Sequence, residues 1–134
     1  MTLCISLRSG EKMIVNGAVM RANGRADLVI ENRVAVLRGR EVMAPAEATT
    51  PARRLYLAAM MAYVDEAGRT AHQDRIVELL GELIGAIEDH EARANCMEFA
   101  RYAALGDYYR ALGVCRALIE YEDIALARTA GQAA

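Results

Sequence analysis

Apolar and polar positions follow two different rhythms along this chain, one before residue 44 and one after residue 50. Leu3, Ile5 and Leu7 share one face of an alternating run, so residues 2–7 read as a β-strand. Residues 12–15 (KMIV) and 18–21 (AVMR) flank Asn16-Gly17, a pair suited to the tight hairpin turn whose two central residues need positive φ. A second Asn-Gly, at 23–24, leads into a strand at 26–31, and Glu31-Asn32-Arg33 turns into another at 34–37. Gly39 breaks the pattern before a short Val42-Met43 segment. Leu28-Val29-Ile30 and Val34-Ala35-Val36-Leu37 are apolar on both faces, so these strands need cover from two sides.

From residue 48 the rhythm becomes helical. The stretch ATTPARRLYLAAMMAYVD (48–65) opens with threonines that can cap a helix and a proline suited to its first position. Its apolar residues lie all round the helix, which predicts a buried central helix over 51–65. A second helix is expected from Ala71 to Asp89, capped by Thr70, with Ile76, Leu79, Leu80, Leu83 and Ile87 on one stripe. Glu91 to Leu105 reads as a third, stopped at Gly106. Asp107 caps a fourth, striped by Tyr108, Ala111, Leu112, Cys115, Leu118 and Ile119. The last two form a helical hairpin over 91–122, and the tail after Arg128 is expected to fray.

The fold class is therefore α+β: a small antiparallel β-meander or barrel (1–46) packed on a bundle of about four helices (47–134). A core of this kind is supported by 54% apolar residues, but without tryptophan and with one phenylalanine it must be aliphatic. The three cysteines (Cys4, Cys96, Cys115) have neither disulfide-framework nor zinc-ligand spacing and read as buried small hydrophobes. No charged-then-apolar signal pattern and no apolar run of membrane-spanning length occurs, so a soluble, cytoplasmic protein with no membrane partner is expected. The net charge of −2 is unevenly spread: residues 1–54 carry nine Lys/Arg and five Asp/Glu, and residues 55–134 carry seven and thirteen. A basic first half points to an anionic partner such as nucleic acid.

Catalytic equipment is missing from the pattern. His72 and His90 stand alone near helix ends, and no phosphate loop, nucleophile elbow, Cys–His arrangement or metal-ligand spacing appears. The reading is a non-enzyme with no cofactor and no metal. The candidate RNA-contacting residues are Lys12, Arg21, Arg25, Arg33, Arg38 and Arg40 on strand ends and turns, with Arg53 and Arg54 in the first helical turn. Two cations beside the positive end of a helix dipole are unfavourable, so nearby acids (Glu47, Glu31) or an external anion must neutralise them. Every aromatic residue lies at or beyond residue 56, so the β half offers no stacking platform of its own. Tyr109, beside the apolar stripe of the last helix, is the candidate for contact with a partner protein. Two-faced strands in so short a meander also predict self-association, giving a homo-oligomer.

GEKMIVNGAV (10–19), ENRVAVLRGREVM (31–43), ATTPARRLYLAAMMAYVD (48–65) and GDYYRAL…LIEYE (106–122) together resemble the FlbT family, in order and over nearly the whole chain. The resemblance implies a post-transcriptional regulator of flagellin synthesis in alphaproteobacteria. Such a protein associates with the 5′ untranslated leader of flagellin mRNA and usually lowers its translation and lifetime. The family supplies no residue-level RNA contacts, so the arginine assignments above rest on electrostatics alone. The alternative is a protein-interaction module, a flagellin-binding or chaperone-like regulator that meets flagellin or another flagellar regulatory protein, with only indirect RNA association.

Overall fold

The computed structural model describes residues 3–133; Thr2 of the first expected strand and Ala134 at the end of the tail lie outside them. Five strands come first: β1 (Leu3–Leu7), β2 (Lys12–Val15), β3 (Ala18–Arg21), β4 (Ala26–Ile30) and β5 (Val36–Arg38). Four helices follow: α1 (Pro51–Val64), α2 (Arg69–Ala86), α3 (His90–Ala104) and α4 (Tyr108–Ala133). The α+β architecture expected from the pattern is present. The strands, however, do not form one sequential meander. β1 pairs antiparallel with β4, while β3, β2 and β5 form a second antiparallel sheet with β2 in the middle.

The reason lies in β2. Met13 and Ile14 point to opposite faces, and both are buried. Met13 joins Ile5, Leu7 and Ala22 in a small core between the two sheets, whereas Ile14 and Leu37 join the helical core. A single flat meander would leave one of these faces in water. Moving β1 and β4 into a separate layer covers it. The result is three layers: β1–β4, then β3–β2–β5, then helices. The Asn16-Gly17 turn fixes the register, with Asn16 at φ 50° and Gly17 at φ 87°. Gly17 also abuts α1: a side-chain carbon there would sit 3.0 Å from the Val64 carbonyl oxygen. Val34 and Ala35 lie outside the strand, and Val42-Met43 sits between two 3₁₀ turns (39–41 and 45–47) instead of forming a sixth.

α1 is the centre of the helical layer, packed against α2 and α4. Thr50 caps it, accepting from the Arg53 amide at 3.4 Å, with Pro51 in the first position. Ala52, Ala58, Ala59 and Ala62 are buried, and these small residues let the flanking helices approach closely. Thr70 does not cap α2. The helix starts two residues earlier, at Arg69, because the Asp65 carboxylate takes the Gly68 amide (3.1 Å) and the His72 ring (2.9 Å) and so closes the connection itself. α2 ends at Ala86 because Asp89 serves as the N-cap of α3, accepting from the Ala92 amide at 2.9 Å. Gly106, at φ 77°, ends α3: the amides of Gly106 and Asp107 bond back to Ala103 and Tyr102. α4 runs on through Thr129 to Ala133, where fraying was expected.

Candidate nucleic-acid interface

Arg53 is neutralised from within the chain, though not by the acids nearest in sequence. Its guanidinium makes two bonds to the Asp123 carboxylate, at 2.8 and 3.0 Å, and lies 3.6 Å from Glu122. The hydrogen bond to Arg53 holds the Asp123 carboxyl below the ordinary aspartate range. Glu122 also accepts the Ala52 amide at 2.8 Å, so a carboxylate from α4 serves the positive end of α1. Arg53 thus clamps α1 to α4 and is not free for an external anion. Arg54 is exposed and has no such partner among the described residues.

The remaining basic side chains differ between the halves. In the helical half most arginines are spent internally: Arg69 on the Ala62 carbonyl (2.7 Å), Arg75 on Glu78 (3.2 Å), Arg93 on the Ile87 carbonyl (3.0 Å), Arg110 on Asp107 (3.5 Å) and Arg116 on the Tyr56 hydroxyl (3.2 Å), while Arg101 lies over the Tyr102 ring. In the β half, the side chains of Arg8, Lys12, Arg21, Arg25, Arg33, Arg38 and Arg40 make no hydrogen bond or ion pair among the described residues. Of the five neighbouring acids, all but Glu31 are turned to other work. Glu11, Glu41 and Glu47 each fold back onto the amide three residues earlier, at 2.7, 3.2 and 2.9 Å, and Asp27 takes the Ser6 hydroxyl at 2.8 Å.

Topology gathers most of these cations at one end of the β half. Lys12 and Arg21 are directly opposite on β2 and β3, a like-charge pair that is unfavourable unless an anion bridges it. The 8–11 and 22–25 turns are tied together by bonds from Gly10 to Ala22, from Ala22 to Glu11 and from Gly24 to Ser9, which brings Arg8 and Arg25 alongside. Arg38, opposite Met13, lies one register position from Lys12 but on the other face of the sheet, lining a pocket with Tyr63 and Tyr109, and Arg40 follows it. Arg8 was not among the candidates. It precedes a turn whose docking onto the 22–25 turn has no sequence signature. Arg33 lies at the opposite, hairpin-tip end, in a cleft of about 880 Å³ with Asn16, Tyr63, Arg69 and Tyr109.

That cleft supplies aromatic rings that the β half lacks in sequence. The Val36 amide donates to the Tyr63 hydroxyl at 3.3 Å, and the Tyr63 and Tyr109 rings meet at 5.8 Å with a tilt of 45°. Tyr109 is tied down within the chain: its hydroxyl donates to Glu41, and that bond, with burial second, raises its pKa. The residue stays 45% exposed. The three cysteines part ways: Cys96 and Cys115 are buried, and burial pushes both thiols above the usual range, whereas Cys4 is exposed on the outer face of β1.

Among the described residues no group of three or more potential ligands could hold a metal, and no helix is long and apolar enough to cross a membrane. No solved structure matches the chain. A family model described as "Flagellar protein FlbT" matches residues 3–126. The "Flagellum biosynthesis repressor protein FlbT" of Caulobacter vibrioides is 39% identical over 125 residues, covering 92% of this chain and 88% of that one. A "Probable flagellum biosynthesis repressor protein FlbT" from another Caulobacter species is 40% identical, covering 92% and 95%. One of the same name from Agrobacterium fabrum is 34% identical over 122 residues, covering 91% and 82%. The chain belongs to the FlbT family.

Proposed function

We propose that this protein represses flagellum biosynthesis in the cytoplasm by binding the 5′ leader of flagellin mRNA, through the basic end of its β half. The repressor role follows the names carried by its relatives. One observation supports the RNA-facing surface: seven basic side chains of the β half have no hydrogen-bond or ion-pair partner among the described residues, and Lys12 and Arg21 sit opposite one another on paired strands. An RNA phosphate placed between them would accept from both and remove the repulsion. Arg8, Arg25, Arg38 and Arg40 would meet neighbouring phosphates. The Tyr63–Tyr109 cleft, rimmed by Arg33, lies at the opposite end, between the β half and the helices, and offers one ring face to an unstacked base. Arg53 takes no part.

The test is a salt titration of purified protein on a flagellin leader RNA. Direct binding must weaken linearly in log–log form, with a slope of about −0.7 per phosphate neutralised on a single strand. Reversing Arg21, Arg25 and Arg38 to Glu is expected to abolish binding while the circular dichroism spectrum stays native. Affinity that survives this reversal would refute the assigned face. Binding that disappears once other proteins are purified away would favour an indirect association.

A further inference from the structure

The helices are packed unevenly. α1 lies against α2 and α4, and α3 lies along α4, but α2 and α3 meet only weakly. Between them runs a groove of about 340 Å³, with Ile76, Val77 and Leu80 on one wall and Ala100, Ala103 and Ala104 on the other. A bond from Gln73 to the Tyr108 hydroxyl (2.6 Å) closes one end. Val77 is 72% exposed, and Met97, one turn before Ala100 on the same face of α3, is 62% exposed. Large apolar side chains this exposed, one lining the groove and one on the helix face that continues it, mark an interaction surface.

Two further features narrow the occupant. Gly81 and Gly85 continue the Val77 row by successive turns, inside a helix that glycine weakens. Nothing lies within 4 Å of where their side chains would be, so no packing within this chain requires them to be small. They leave room for a backbone to come close. Alongside runs an acidic row, Asp74, Glu78 and Glu82. Glu78 meets Arg75 at 3.2 Å, while Asp74 and Glu82 have no ion-pair partner among the described residues. An RNA strand would be repelled by this row. A second copy fits poorly as well: α2 against α2 would oppose two acidic rows, and the exposed Ile124 and Leu126 of α4 lie beside Glu120 and Asp123.

We propose that this groove docks an amphipathic helix of a partner protein. Its apolar stripe rests on Val77 and the alanine wall, and Lys/Arg residues on its flank face Asp74, Glu78 and Glu82. The shallow alanine wall permits a close interhelical approach. The surface is separate from the basic β end, so the inference stands or falls independently of RNA binding.

The probes are two synthetic helices of about 18 residues, long enough to hold helical structure. They share a Leu/Ala stripe, but one is flanked by Lys and the other by Glu. Binding is followed by fluorescence anisotropy and by amide shifts in the full-length protein. The Lys-flanked peptide is expected to bind, with shifts confined to α2 and α3, and the Glu-flanked one to bind at least about tenfold more weakly. Val77→Lys, at a solvent-exposed position, should abolish the binding with an unchanged circular dichroism spectrum. Glu78→Lys with Glu82→Lys should invert the preference and also controls for any loss of folding in the first variant. Absence of shifts in the groove, equal affinity for both peptides, or full binding by Val77→Lys would overturn the proposal. So would a wild-type dimer that Val77→Lys converts to monomer, since a second copy would then be the occupant.

Discussion

Glu122→Ala should cost this protein more stability than its position on an exposed stretch of helix suggests. One carboxylate oxygen accepts the Ala52 amide at 2.8 Å, and Ala52 is completely buried. The other is itself buried without a hydrogen-bond donor among the described residues and faces the Arg53 guanidinium at 3.6 Å. Removing the side chain orphans a buried backbone donor in the first turn of α1, at a cost of about 1–3 kcal/mol. It also removes a favourable charge from the positive end of the helix, adding about 0.3–1 kcal/mol. The recovered side-chain entropy offsets part of this, leaving roughly 2–3 kcal/mol. For a chain of this length that corresponds to a fall in Tm of about 6–12 °C. Glu122→Gln keeps an acceptor for Ala52 but no charge, so it should lose about half as much. Urea and thermal unfolding of both variants, with RNA affinity measured well below Tm, are the assay. A Tm for Glu122→Ala within about 2 °C of wild type would refute the reasoning. Arg53→Ala should behave in the same way, losing stability and not RNA affinity, because Arg53 is the other half of this clamp.

Gly17→Ala should destabilise by about 1–2 kcal/mol through its left-handed conformation alone, and by more from the approach to Val64, as read by the urea midpoint. Asp65 and Asp123 are held below the ordinary aspartate range, chiefly by bonds to His72 and Arg53 respectively. The folded state therefore favours their ionised forms: their contribution is complete above about pH 4–5 and lost as pH falls through the lowered folded values. Urea midpoints at pH 6 and pH 3 should differ less in Asp65→Asn and Asp123→Asn than in wild type. A thiol reagent should titrate Cys4 alone in the native protein and all three cysteines in denaturant. Val29, 61% exposed on the outer face of β4 beside Cys4, leaves an apolar sheet surface open to self-association. Sedimentation should show an oligomer that Val29→Lys weakens, and a wild-type monomer at micromolar concentration would count against it.

The parts of this fold that were legible in sequence are those in which one residue decides a local geometry. Asn16-Gly17 prescribes a tight turn, and Gly106-Asp107 both ends α3 and caps α4. Thr50-Pro51 starts α1, and the stripe from Tyr108 to Leu118 faces the core as its spacing requires. The misreadings concern choices made between distant residues. β1 could have paired with β2 by proximity. It pairs with β4 because the two-faced β2 needs cover on both sides, and that is a property of the assembled sheets. The sequence left the counter-charge of Arg53 open between nearby acids and an external anion, because its main partners, Glu122 and Asp123, are on the last helix, and of the two acids nearer in sequence Glu47 adds the smallest share. The tyrosines looked remote from the β half for the same reason, until the end of α1 and the start of α4 carried Tyr63 and Tyr109 onto the 34–38 segment. Charge alone therefore nominates a set of arginines larger than the surface that can use them. What selects among them is whether the fold has already supplied a carboxylate or carbonyl, and that test removes Arg53, adds Arg8 and leaves Lys12 and Arg21 facing each other at the centre of the basic end.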